Sequence, residues 1–229
     1  MTIFWGVMKQ FNIVSVFLVS LLTTSVVLAG EKGQLSSNMQ GGASDNQDTS
    51  IALRKQEAEQ PAVREFFSFY CPPCYAFSQQ YGIDNGIRTV LPAGKKMVKY
   101  HVDFLGPLGP QLTDAWAMAL VMGIEDKVEP LLFEAAQVNR SLSTPESIRR
   151  VFEKVGVSGE EYDRMMDDIL VKTKAAEMRQ LFIEYKVTGT PAVFVGRNHV
   201  NNRDFRGKTP EEFRKEYVAA VKKLLKAGK

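Results

Sequence analysis

The 229-residue chain has only two cysteines, and they form one motif, Cys71-Pro72-Pro73-Cys74, placed directly behind an apolar run at residues 63–70. Val63, Phe66, Phe67 and Phe69 make that run read as a strand buried on both faces, the usual form of a central strand in an α/β sheet. Phe77 and Tyr81 follow Cys74 at helical spacing, so strand, tight turn and helix N-terminus succeed one another and Cys71 falls at the helix start. Two cysteines cannot supply a disulfide framework, and stability must come from packing. With 45% hydrophobic and 24% charged residues the chain has ordinary globular composition, which excludes wholesale disorder, a collagen-like repeat and a polytopic membrane protein. A net charge of +3 gives no argument for nucleic acid as a partner.

Period-two alternation places Glu65 beside Val63, Phe67 and Phe69, pointing its carboxylate into apolar surroundings. Residues 97–104 alternate cleanly, with Val98, Tyr100, Val102 and Phe104 on one face and Lys99, His101 and Asp103 on the other, and predict a second strand. A helical region follows. Residues 111–123 open it with Leu112, Ala115, Trp116 and Ala119 inward, residues 145–155 continue it, and Ser158-Gly159-Glu160-Glu161 is a capping box before a further helix. Helix then runs to about residue 186. Pro191 opens a short apolar strand at residues 192–195, a turn at 196–198 leads to another strand through Val200, and both read as edge strands. Thr209-Pro210-Glu211-Glu212 caps a last helix with Phe213, Tyr217, Val221, Leu224 and Leu225 inward. The order predicts an α/β protein of thioredoxin-like plan with an inserted helical domain: residues 61–104 and 187–229 form the thioredoxin-like parts, and residues 105–186 the insertion.

Ahead of this lie two segments of different character. Lys9 precedes a mostly apolar stretch ending in Val27-Leu28-Ala29, which reads as a secretory signal over residues 1–29, cleaved near Ala29 and delivering the protein to the periplasm. An uncleaved anchor is the alternative, although Asn12, Ser15, Ser20, Thr23, Thr24 and Ser25 dilute the run. Residues 30–60 are rich in Ser, Asn, Gln, Gly and Asp and predict a flexible leader with one short helical piece at 51–59.

A CxxC pair can be a redox dithiol, half of a zinc site or two inert buried thiols. Structural zinc wants two further ligands, yet the only histidines, His101 and His199, lack finger spacing. Inert thiols fit poorly with the rigid Pro-Pro turn and with a first sulfur facing the unpaired N–H groups and dipole of a helix start. Thiol and disulfide exchange remains, with Cys71, nearer solvent, forming the mixed disulfide and Cys74 resolving it. No metal, nucleotide, flavin or other cofactor is required, because the electrons reside on the two sulfurs.

The segment from Glu65 through Tyr75, EFFSFYCPPCY, resembles the active-site segment of the DsbA family of periplasmic thiol:disulfide oxidoreductases. Lys99-Tyr100-His101-Val102, Thr113-Asp114-Ala115-Trp116-Ala117, Gly159-Glu160-Glu161-Tyr162-Asp163 and Gly189-Thr190-Pro191-Ala192 are similar to that family in order, so the likeness spans residues 63–195. The Pro-Pro dipeptide is similar to the SrgA-like branch. The resemblance implies a cis Pro191 packed against the cysteines, with the Thr190 backbone pairing to an extended substrate segment. It also implies a monomer whose substrates are reduced exported polypeptides and whose reoxidant is a quinone-linked membrane partner similar to DsbB.

Two positions depart from the family. Pro73 stands where members often carry His, and offers neither a side-chain cation nor a backbone N–H, which predicts a weaker oxidant. Ser78 stands where relatives carry an acid four residues after the second cysteine. Glu65 and Lys99 then remain as the buried charge pair that relays or accepts the Cys74 proton, the alternative being a solvated Lys99. Other readings are a disulfide reductase of the same fold, or a redox-inactive chaperone or binding module using the aromatic surface of Phe69, Tyr70 and Tyr75.

Overall fold

In the computed structural model, residues 60–205 and 209–228 are described, so the expected signal segment and the leader up to residue 59 lie outside the described residues. The apolar run forms strand β1 (Val63–Phe67), every residue of it buried. A second strand, β2 (Met97–His101), runs parallel to it, and the four-stranded sheet has the order β2-β1-β3-β4. Strand β3 (Ala192–Val195) is antiparallel to β1 and to β4 (Asn198–Val200). β1 is central, as the reading of a strand buried on both faces implied. β3 is internal, however, and not an edge strand: Pro191, which lacks an N–H, precedes the ladder, so β3 can pair on both sides.

A parallel pair requires a crossover. Between β1 and β2 the chain makes α1 (Pro72–Tyr75), a π-turn at Ala76–Gln80 and α2 (Ile83–Arg88). The helical block comprises α3 (Gly109–Met122), α4 (Glu125–Phe133) with a π-turn at Glu134–Val138, α5 (Pro145–Lys154), α6 (Gly159–Met166) and α7 (Ile169–Glu184). A last helix, α8 (Pro210–Ala227), is closed at its start by the reciprocal Thr209 and Glu212 bonds of a capping box.

The differences from the sequence reading have local causes. β2 stops at His101, and Phe104 is 50% exposed, because the chain bends at Asp103 and passes through positive φ at Gly106 on its way to α3. Lys99 and His101 are buried, since the face they share with Met97 is covered as well. α4, which lies between the helices read at residues 111–123 and 145–155, carries Pro130 in its interior.

Two apolar clusters flank the sheet. One joins Phe66, Tyr100 and Phe194 to the helical block through Trp116, Phe133 and Phe152, and the other joins Val63, Met97 and Val193 to Ile83, Tyr217 and Val221. Arg179 on α7 ties the block to the end of β2, bonding Asp103 at 2.9 Å and Asp114 at 2.8 Å.

Candidate active site

Beyond β1 the chain is held on both sides before it reaches the cysteines. The Phe69 N–H donates to His101 Nε2 at 3.3 Å, and Gln137 Nε2 donates to the Phe69 carbonyl at 2.6 Å. Because Nε2 accepts, the neutral His101 ring carries its proton on Nδ1, which donates to Thr113 Oγ1 at 2.8 Å. Burial, then the nearby Arg179 charge, pushes the imidazole down to about 3 and keeps it neutral. The Tyr70 hydroxyl reaches the Leu142 carbonyl at 3.1 Å, and its ring lies where a Cβ on Gly106 would stand, 2.1 Å from Cδ2. Only glycine fits that approach.

Cys71 is the N-cap of α1, with extended backbone at φ −92° and ψ 107°. Pro72 and Pro73 occupy the first helical positions, where a missing N–H costs nothing, and both are exposed. Cys71 Sγ accepts the Cys74 N–H at 3.3 Å and donates to the Thr190 carbonyl at 3.4 Å. Both sulfurs are free thiols, Cys71 5% exposed and Cys74 0%. The order of exposure is as the sequence suggested. Its degree is smaller: Cys71 is largely shielded, with the Thr190 carbonyl against its sulfur.

The two thiols differ chemically. The bond from the Cys74 thiol, helped by Thr190 and the Cys74 N–H and opposed by burial, lowers Cys71 to about 7. At that value half of it is thiolate at pH 7, against about 3% for a free cysteine near 8.5. Burial raises Cys74 far above the ordinary range, and the neighbouring Cys71 raises it further.

The Thr190–Pro191 peptide is cis. Pro191 is buried and its carbonyl accepts from Asn202 Nδ2 at 2.6 Å, while Asn202 Oδ1 in turn accepts the Tyr217 hydroxyl at 2.9 Å. Thr190, Pro191, Pro72 and Pro73 therefore gather with the two cysteines at one end of the sheet. Glu65 and Lys99 form a separate group on the neighbouring strands β1 and β2.

Glu65 and Lys99 face each other across the parallel register of β1 and β2, 0% and 2% exposed. Their surroundings are not apolar, as alternation suggested, because two acids absent from the sequence reading join them. Lys99 Nζ donates to Glu129 Oε1 at 2.7 Å and to Asp84 Oδ2, and lies 3.5 Å from Glu65 Oε2. Ser78 donates to the same Glu129 oxygen at 2.7 Å, so a carboxylate from α4 reaches the position of the missing acid. Burial disfavours charge on Lys99, but Asp84, Glu65 and Glu129 outweigh it and hold the ammonium charged beyond its usual range. Burial raises Glu65 well above the carboxylate range, with Asp84 adding to the effect.

Of the aromatic surface proposed for a binding module, Phe69 is fully buried and only Tyr70 and Tyr75 are half-exposed. Among the described residues no group of three or more His, Cys, Asp and Glu side chains is arranged to hold a metal ion, and no helix is long and apolar enough to cross a membrane.

Comparison with known proteins gives a consistent result. Residues 62–219 match the family described as DSBA-like thioredoxin domain. The thiol:disulfide interchange protein DsbA of Pectobacterium carotovorum is 43% identical over 176 residues, covering 76% of this chain and 85% of the relative. SrgA of Salmonella enterica serovar Typhimurium superposes with a TM-score of 0.71 at 53% identity, covering 73% of this chain and 93% of that one. Proteus mirabilis DsbA, solved with the non-covalently bound peptide PWATCDS, superposes with a TM-score of 0.70 at 37% identity, covering 73% and 90%.

Proposed function

The chain belongs to the DsbA family of thiol:disulfide oxidoreductases, and from that premise we propose that Cys71 and Cys74 are its reacting groups, Cys71 exchanging with substrate and Cys74 with Cys71. One observation carries the assignment: Cys71 caps α1, where the Cys74 N–H and thiol stabilise a thiolate, while Cys74 is buried behind it.

In the disulfide form, a substrate thiolate attacks Cys71 Sγ and breaks the Cys71–Cys74 bond. Cys74 leaves as a thiolate and takes up a proton, since its environment disfavours the anion. The second substrate thiolate then attacks the substrate sulfur of the mixed disulfide and expels Cys71 as a thiolate. The substrate is oxidised to a disulfide, the protein is left as a dithiol, and no cofactor takes part. An ionised Cys71 no longer donates to Thr190, so that carbonyl becomes free to accept an N–H from an extended substrate segment. The rigid Pro72-Pro73 turn holds the sulfurs in place. Glu65 and Lys99 serve the Cys74 proton.

The residues at 61–104 and 187–229 form the thioredoxin-like body and those at 105–186 the insertion over it. The apolar N-terminal segment supports export to the periplasm with cleavage near Ala29, and the relatives' name supports thiol:disulfide exchange; on this reading a monomer acts on reduced exported polypeptides and is reoxidised by a quinone-linked membrane partner similar to DsbB. The test is oxidation of a reduced dithiol peptide by the disulfide form. Cys71→Ser abolishes it, and in reduced Cys74→Ser the Cys71 thiolate attacks a disulfide-bonded peptide, expels one peptide sulfur as a thiolate and stops at the mixed disulfide. Equal peptide oxidation by the Cys71→Ser variant would rule the assignment out.

A further inference from the structure

The cluster around Lys99 holds three carboxyl groups and one ammonium, all nearly without solvent. With every acid ionised it would carry two uncompensated negative charges in the interior, which is costly. The hydrogen bonds show how the charge is divided. Lys99 gives bonds to Asp84 Oδ2, to Glu129 Oε1 and, at 3.5 Å, to Ser78 Oγ. Glu129 Oε1 also receives the Ser78 hydroxyl and, at 3.5 Å, the Gln79 amide.

Among the described residues, three buried oxygens of this cluster are left without a hydrogen-bond partner: both of Glu65 and Oδ1 of Asp84. The other elements packed on the cluster offer no donor. On α8 the Tyr217 hydroxyl is committed to Asn202 and Val200. On β3 the residue opposite Glu65 is Val193, and the rings of Phe67 and Phe133 lie beside the ammonium. One proton placed on Glu65 and directed at Asp84 Oδ1 satisfies two of the three oxygens and removes one excess charge.

We propose that Asp84 is a positioning residue that keeps Glu65 protonated in the dithiol form, accepting its O–H while Asp84 and Glu129 together take the charge of Lys99. Glu65 is thus an acid paired with Asp84, rather than the ionic partner of Lys99. The consequence for the reaction, a proton stored beside the site and delivered to the departing Cys74 thiolate, rests on the role assigned above to Cys74.

The test is a pH titration of the carboxyl carbons by NMR in the reduced full chain, with glutamate and aspartate labelled. Glu65 is expected to remain protonated at pH 7, and Asp84→Asn to lower its proton affinity tenfold or more. An ionised Glu65 at pH 7, or a titration unchanged by Asp84→Asn, overturns the proposal. Should Asp84→Asn fail to fold, Glu65→Ala reads the pair from the other side. Asp84 then loses its donor and its midpoint rises about tenfold in proton affinity, whereas an unmoved midpoint contradicts the pairing. None of these readings needs turnover, so their failure leaves disulfide exchange at Cys71 standing, and loss of peptide oxidation leaves the acid pair standing.

Discussion

Cys71 Sγ and the carbonyl of Thr190 are 3.4 Å apart although 119 positions separate them. The contact works only while Cys71 is a thiol, because a thiolate can accept but not donate. Ionisation therefore exchanges one bond for a stronger set, the charge-assisted bonds from the Cys74 thiol and N–H.

That exchange should be visible in stability. Cys71 is about 7 when folded and about 8.5 when unfolded, so its contribution is absent well below pH 7 and grows as the pH rises through the folded value. Between pH 6 and pH 8 the reduced wild type should gain about 1 kcal/mol relative to Cys71→Ser. Urea denaturation of both proteins under reducing conditions measures the difference. Parallel stability curves would mean that folding does not favour the thiolate.

Pro73 offers no side-chain cation near the Cys71 sulfur. Pro73→His should lower the Cys71 midpoint and shift the glutathione equilibrium toward the dithiol, by about tenfold for each unit of pKa. The equilibrium constant of the purified protein gives the answer, and it also ranks oxidant against reductase for the wild type. An equilibrium that Pro73→His leaves in place would show that the dipeptide does not set the oxidising strength.

His101 is depressed to about 3 when folded, against about 6.5 unfolded. Its contribution is complete above the unfolded value and is lost as the pH falls toward the folded one, a loss on the order of a few kcal/mol. His101→Phe should flatten stability between pH 7 and pH 4, while costing about 1–3 kcal/mol at neutrality because the Phe69 N–H loses its acceptor. Denaturation midpoints across that range decide the matter. An equally steep acid loss in the variant would place the sensitive group elsewhere.

Lys99 is the one cation among three buried acids. Lys99→Met should destabilise the protein by about 3–5 kcal/mol at pH 7, the usual cost of removing one partner from a buried ion pair. The deficit should shrink as the pH falls and the carboxyls take up protons. A cost below about 1 kcal/mol at pH 7, the range of surface pairs, would contradict the burial of this charge.

The parts of the site that are local in sequence could be read directly. Cys71, Pro72 and Pro73 sit together, and an apolar run followed by helical spacing fixes the strand, turn and N-cap. The capping signals at Ser158, whose hydroxyl accepts the Glu161 N–H, and at Thr209, which forms the reciprocal box with Glu212, work within one turn and marked two helix starts correctly. Asp84 and Glu129 were not legible. Asp84 has the look of an ordinary first-turn acid, and Glu129 lies outside the helices read at residues 111–123 and 145–155. Each becomes part of the site only because α2 and α4 pack on Lys99 from 15 and 30 positions away. Gln137 and Asn202 were missed for the same reason. Their polar side chains look like surface residues until the fold brings the Phe69 and Pro191 carbonyls to them. A signal was available for His101 and Lys99: Met97, on the same face, already pointed to cover on that side.

The measurement that bears most directly on the site is the rate of alkylation of reduced Cys71 as a function of pH, with Cys74 too buried to compete. A half-maximal rate near pH 7, well above the reactivity of a simple thiol at that pH, is the result expected of a helix-capping thiolate held by Cys74. A profile that rises only near pH 8.5 or later, at the pace of a model peptide, would remove the physical basis for disulfide exchange at this cysteine.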